Sequence, residues 1–147
     1  MELLLFLIGG RLYTWIELLW RGHTHWTMFI LGGLCFVIMG LLNEHIFPWE
    51  LGLFQQCLIS AVIITVFEFA TGCIVNLWLR WNVWDYSDVP LNLLGQICLP
   101  FFFAWILLSV VGIVIDDWIR YWIYLFVSKY FSHIHMEDRQ KPSYKLL

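Results

Sequence analysis

The sequence predicts an all-α, polytopic membrane helical bundle, with four core transmembrane helices and a short aromatic helix after them. Three observations carry this. Apolar residues make up 61% of the chain and charged residues 13%, against roughly 25% charged in soluble domains. The apolar residues gather into runs as long as Leu51–Leu79, and a span needs only about 20 of them. Tryptophans collect near the run ends, at Trp20, Trp26, Trp49, Trp78, Trp81, Trp84 and Trp118, as amphipathic rings do at headgroup level.

Taken in order, the first span covers residues 3–20. It has no basic n-region and its apolar run continues through Arg11 and Glu17, so it reads as a retained span rather than a signal peptide. The second covers 26–42, where Gly32, Gly33 and Gly40, like Gly9 and Gly10 before them, predict close helix approach. The third covers 51–79 and the fourth 91–115, completing a bundle over residues 1–117. Residues 118–131 (WIRYWIYLFVSKYF) would extend about 21 Å as a helix. They read either as an interfacial amphipathic helix or as a short fifth span. Residues 132–147 read as a polar, mobile tail. The loops at 21–25, 43–50 and 80–90 leave no room for a soluble domain, so any chemistry lies in the membrane or at its surface.

Charge argues for an orientation. Arg21 and Arg80 mark the first and third loops, while the second carries Glu44 and Glu50 without Lys or Arg. The positive-inside rule then puts the amino terminus outside. Four spans would leave Lys129, Arg139, Lys141 and Lys145 outside as well, a conflict that a fifth span would remove. Cys35, Cys57, Cys73 and Cys98 lie in apolar runs without CxxC spacing, which predicts small hydrophobes rather than a disulfide framework or zinc site. His23-x-His25 and His133-x-His135 read as interfacial residues, with no metal expected. No Ser-His-Asp constellation, Walker A or GxGxxG pattern is present. The expectation is a non-enzyme without a cofactor, in the lipid bilayer and without a nucleic-acid partner.

The most informative residue is Glu68, in the middle of the longest apolar run. A carboxylate at that depth costs roughly 2.5–3.5 kcal/mol on insertion scales and pairs with something or marks a pathway. Counting inward from Arg21 places Glu17 about 6 Å and Arg11 about 15 Å deep. Counting from Arg80 places Asn76 about 6 Å and Glu68 about 18 Å deep. Those matched depths predict an Arg11–Glu68 pair, although Arg11 lies roughly 120° from the face shared by Tyr13, Glu17 and Arg21. A firm pair would make Glu68 a strut; a protonated, unpaired Glu68 would be a proton carrier. In span four, Asn92, Gln96 and Pro100 recur every four residues, and a mid-span Pro100 would free the carbonyl of Gln96. The plainer reading of Asn76 and Gln96 is helix-to-helix glue. Gly32-x-x-Cys35 and Gly95-x-x-Cys98 hint at two related helical hairpins.

Four segments carry a resemblance: Tyr13-x-x-x-Glu17, Glu68-Phe-Ala-Thr-Gly72, Trp84-Asp-Tyr-Ser87 and Asn92-Leu-Leu-Gly-Gln-Ile-Cys-Leu99. Together they resemble the bacterial "putative ABC-transporter type IV" membrane proteins, over residues 3–117. The resemblance implies a small permease-like integral protein of the bacterial cell (inner) membrane, crossing it several times, and brings no catalytic or binding residues with it. Any ATPase would be a separate chain. Two functions compete. A transporter or permease subunit, expected to be a homo-oligomer, would use Arg11, Tyr13, Glu17, Glu68, Asn76, Gln96 and the carbonyl near Pro100. A non-transporting scaffold or accessory subunit would hold a partner through Trp84, Asp85, Tyr86 and Ser87, which could instead line a mouth. The bland alternative has Trp84 and Tyr86 anchoring the interface while Asp85 or Asp88 caps span four. A channel would need a continuously wet interior.

Overall fold

The computed structural model describes residues 1–46, 51–130 and 141–145. Trp49 and Glu50 of the second loop, His133-x-His135 and Arg139 lie outside the described residues. Helix α1 spans Glu2–Arg21 and α2 spans Trp26–Leu41, continuing into a π-turn at Leu42–Ile46. Helix α3 spans Leu53–Gly72 and widens into π-geometry over Cys73–Trp78. A two-residue antiparallel hairpin, β1 (Asn92–Leu93) and β2 (Ile97–Cys98), leads into α4, Leu99–Tyr130.

Three of these segments, Glu2–Arg21, Leu53–Trp78 and Leu99–Tyr130, are long and apolar enough to cross a membrane. The 16-residue α2 is apolar but shorter. Buried positions recur at helical spacing, and many are small or polar: Gly9, Gly10, Thr14 and Glu17 on α1, Ser60, Glu68 and Gly72 on α3, Ser109 and Asp116 on α4. The outward positions are Leu, Val, Phe and Trp, including Leu19, Trp20, Val66, Trp78 and Leu107. That inversion of the soluble pattern suits a lipid surround, where backbone and polar groups must be satisfied inside.

Helices α1 and α2 form an antiparallel pair in which glycine faces ring: Gly9 meets Phe36, Gly10 meets Phe29, Gly32 meets Tyr13 and Gly33 meets Phe6. Any Cβ at these positions would collide with its partner, so small residues set the close approach. Helix α4 packs against α3 and α2. One end of the bundle gathers Arg21, Trp26, Trp81 and the 79–98 loop, and is termed the loop end. The other gathers Glu2, Leu53, Arg120 and residues 141–145, and is termed the tail end.

Several expectations are corrected. The fourth helix starts at Leu99, eight residues later than 91, because Leu91 (φ 55°), Leu94 (φ 53°) and Gly95 (φ 68°) are left-handed and build a hairpin. Pro100 thus stands in the first turn of α4, where its missing N–H breaks no helical bond. The Gly95–Cys98 segment is hairpin rather than helix, which removes the internal repeat with Gly32–Cys35. Residues 118–130 form no separate helix: α4 runs unbroken for 32 residues, about 48 Å by helical rise. No Gly or Pro interrupts 113–130, and the Asp116–Arg120 pair ties one turn to the next. Residues 141–145 return to the bundle, with Leu53 N–H donating to Lys145 O at 2.7 Å and Lys141 Nζ over the Trp118 ring at 5.6 Å.

Candidate functional site

Glu68 is 1% exposed and sits four residues before the end of α3, ten before the helical segment ends at Trp78. Its two oxygens have separate donors. Trp105 Nε1 of α4 donates to Oε2 at 2.9 Å, and Tyr86 Oη, from the 79–98 loop, donates to Oε1 at 3.0 Å. The expected Arg11 partner is absent. Arg11 lies on the exposed side of α1, and Glu68 makes no ion pair among the described residues. The 120° offset of Arg11 decided this, because α1 turns its Gly9, Gly10 and Thr14 side inward.

Tyr86 reaches Glu68 because the loop folds back between α3 and α4. Gly72 supplies the space, since a Cβ there would strike Gln96 and Trp84. Trp84 is buried and its Nε1 donates to Gln96 O at 2.9 Å. Asn76 Nδ2 donates to Gln96 Oε1 at 2.9 Å, while Asn76 Oδ1 accepts from Val83 N–H at 2.7 Å. Arg21 donates to Val83 O at 3.3 Å and pairs with Glu17, which also accepts from Thr24 Oγ1 at 2.5 Å. These bonds satisfy non-helical backbone that membrane depth tolerates only when covered by protein. The carbonyl of Gln96, expected to be free, is therefore occupied. Burial holds the Tyr86 phenol well above its usual titration range, with Glu68 adding to the effect, so Tyr86 stays a donor.

The Trp84-Asp-Tyr-Ser87 segment splits by side chain. Trp84 turns into the bundle, and Tyr86 stacks on Phe101 with centroids 4.7 Å apart. Asp85 and Ser87 are exposed. Asp85 Oδ1 accepts from Ser87 N–H and Oγ at 2.8 and 2.5 Å, closing a local turn rather than capping α4, and those bonds hold its carboxyl below the ordinary value. His25 Nδ1, 2.9 Å from Thr27 Oγ1, accepts from Thr27 N–H at the start of α2.

Between α1 and α4 lies a cavity of about 280 Å³. Its lining includes Tyr13 and Ile16 of α1, Met39 of α2, Glu68 of α3, and Trp105 and Ser109 of α4. Trp15, Leu19 and Val111 at its edge are 62%, 89% and 54% exposed, so it opens sideways between α1 and α4. The Tyr13 and Trp105 rings, both in its lining, have centroids 6.0 Å apart. Nearly every lining group is apolar, and Glu68 is the sole carboxylate among the described residues that line it. Asn76, Gln96, Trp84 and Pro100 do not line it.

Trp105 was legible only as a tryptophan in mid-run, whose N–H needs a partner in lipid. The tail end holds a second cluster that the spacing Asp116-Asp117-x-x-Arg120 would have flagged. Arg120 donates to both oxygens of Glu2 at 2.7 and 2.9 Å and to Asp116 at 2.6 Å. Asp117 accepts from Tyr144 at 3.1 Å.

The model of the family described as "Putative ABC-transporter type IV" matches residues 4–137. No solved structure matches the chain.

Proposed function

The chain belongs to the "Putative ABC-transporter type IV" family and is a membrane protein with long apolar helices, and from that premise we propose that it is a small permease subunit. In this reading it is a multi-pass protein of the bacterial cell membrane, with α2 as a fourth, short span. It performs no chemistry of its own and assembles with further copies and a separate ATPase, because this little bundle cannot enclose a pathway alone. The observation that carries the reading is Glu68: a buried mid-span carboxylate, without an ion pair among the described residues, at the wall of a cavity open between α1 and α4. Its two oxygens are held by the neutral donors Tyr86 and Trp105, and the residue belongs to the lining of that space. The apolar lining argues against a water-filled ion channel.

The accessory-subunit reading draws on the loop end, where Asn76, Gln96, Trp84 and Arg21 are all committed to internal bonds. It loses Trp84 as a docking residue and keeps only the exposed Asp85 and Ser87. Purification from native membranes at native expression, followed by mass spectrometry, separates the readings. The permease reading expects an ATP-binding chain in constant ratio, and Glu68→Gln should preserve that complex while abolishing ATP-driven uptake in liposomes. A complex with normal uptake in Glu68→Gln, or a preparation with no ATP-binding chain, would sink it.

A further inference from the structure

We propose that the α1–α4 cavity binds a monovalent organic cation with an apolar body, an alkyl- or arylammonium, entering sideways from the lipid. This deepens the permease reading by naming the cargo class of the same site. Glu68 accepts from two neutral donors, Tyr86 and Trp105, and has no cation paired with it among the described residues. Each carboxylate oxygen can accept a second bond, and a buried carboxylate gains most from a charged donor.

The second observation is independent. Ser109, a fully buried residue in the lining of the same cavity, has an Oγ without a hydrogen-bond partner among the described residues. A buried hydroxyl left so carries an unrepaid desolvation cost, and an ammonium N–H would satisfy it. The third is the remainder of the lining. Tyr13 and Trp105 contribute rings of the kind that attract cations over their faces. Ile16 and Leu108 offer only hydrocarbon, which suits an apolar body and rejects a hydrated metal ion. The volume, about 280 Å³, falls near the lower bound of roughly 300 Å³ for small-molecule pockets, so one or two fused rings or a short chain would fill it. Access from the exposed edge at Trp15 and Val111 fits a ligand already dissolved in lipid.

Equilibrium binding of radiolabelled 1-naphthylmethylammonium to the full chain in phosphatidylcholine nanodiscs tests this, with neutral 1-naphthylmethanol as competitor. Saturable binding is expected in the natural protein, with the alcohol competing at least ten-fold more weakly. Glu68→Gln should weaken binding at least ten-fold and Arg11→Ala should leave it unchanged. If Glu68→Gln fails to fold, Val111→Trp, which keeps the carboxylate and fills the cavity, should abolish binding. Absence of saturable binding, equal competition by the alcohol, or unchanged binding in both cavity variants would overturn the proposal. No ATPase enters the assay, so carboxylate-dependent binding without uptake leaves the ligand class standing while the permease reading falls. Uptake of other solutes without ammonium binding does the reverse.

Discussion

Glu68 and Asp116 are both buried acids on helix faces turned inward, yet they live under opposite electrostatic regimes. Asp116 has Arg120 one turn further along α4, and Arg120 is also held by both oxygens of Glu2 across the bundle. Glu68 has two neutral donors and a cavity. Glu2, Arg120 and Asp116 thus tie α1 to α4, whereas the mid-span carboxyl is held in place by neutral donors alone. The contrast teaches where to look for function: paired charges in a membrane interior are struts, and an oriented, unpaired one beside open space is a candidate for binding.

The comparison can be broken most forcefully at the tail end. Arg120→Met removes the cation buried against Asp116, and removing one partner of a buried pair costs about 3–5 kcal/mol. Thermal unfolding in detergent should show a large loss; a change below about 1 kcal/mol would mean the cluster is not a strut. Next comes the loop. Asn76→Ala strands Val83 N–H and Gln96 Oε1, at about 1–3 kcal/mol for each buried group left unpaired. It should also quicken proteolysis or hydrogen exchange across 80–98, a readout that a uniform loss of stability would not confine to that segment.

Glu68→Gln should be milder, at about 1 kcal/mol. The amide can accept from Trp105 through its oxygen and donate to the Tyr86 hydroxyl, keeping the loop in place. A collapse of stability on this change would move Glu68 into the strut class with Asp116. Arg11→Ala is expected to change the unfolding midpoint least, by less than about 0.5 kcal/mol, because Arg11 is exposed. A loss comparable to that of Arg120→Met would revive the Arg11–Glu68 pair.

How far these residues were legible depended on whether their partners were near in sequence. Glu17 and Arg21, four residues apart, share a helix face by spacing alone, as do Asp116 and Arg120. The Gly-rich faces of α1 and α2 also announced their contact, because only close packing explains such residues in apolar runs. The partners of Glu68 come from 18 and 37 residues away. Depth along a helix can be counted from an end, but rotation between helices cannot, and Arg11 failed on rotation.

The membrane setting and the helical character follow from residue pattern alone. Long apolar runs in lipid must close their backbone hydrogen bonds within themselves, and the helix does this locally. Only the tertiary structure decided that 91–98 is hairpin and that α4 continues to Tyr130. It alone placed Tyr86 and Trp105 on the carboxylate. The reason is physical: left-handed Leu91 and Leu94 and the bonds of Asn76, Trp84 and Gln96 gain their stability from each other. None of them is favourable until the loop already lies between α3 and α4.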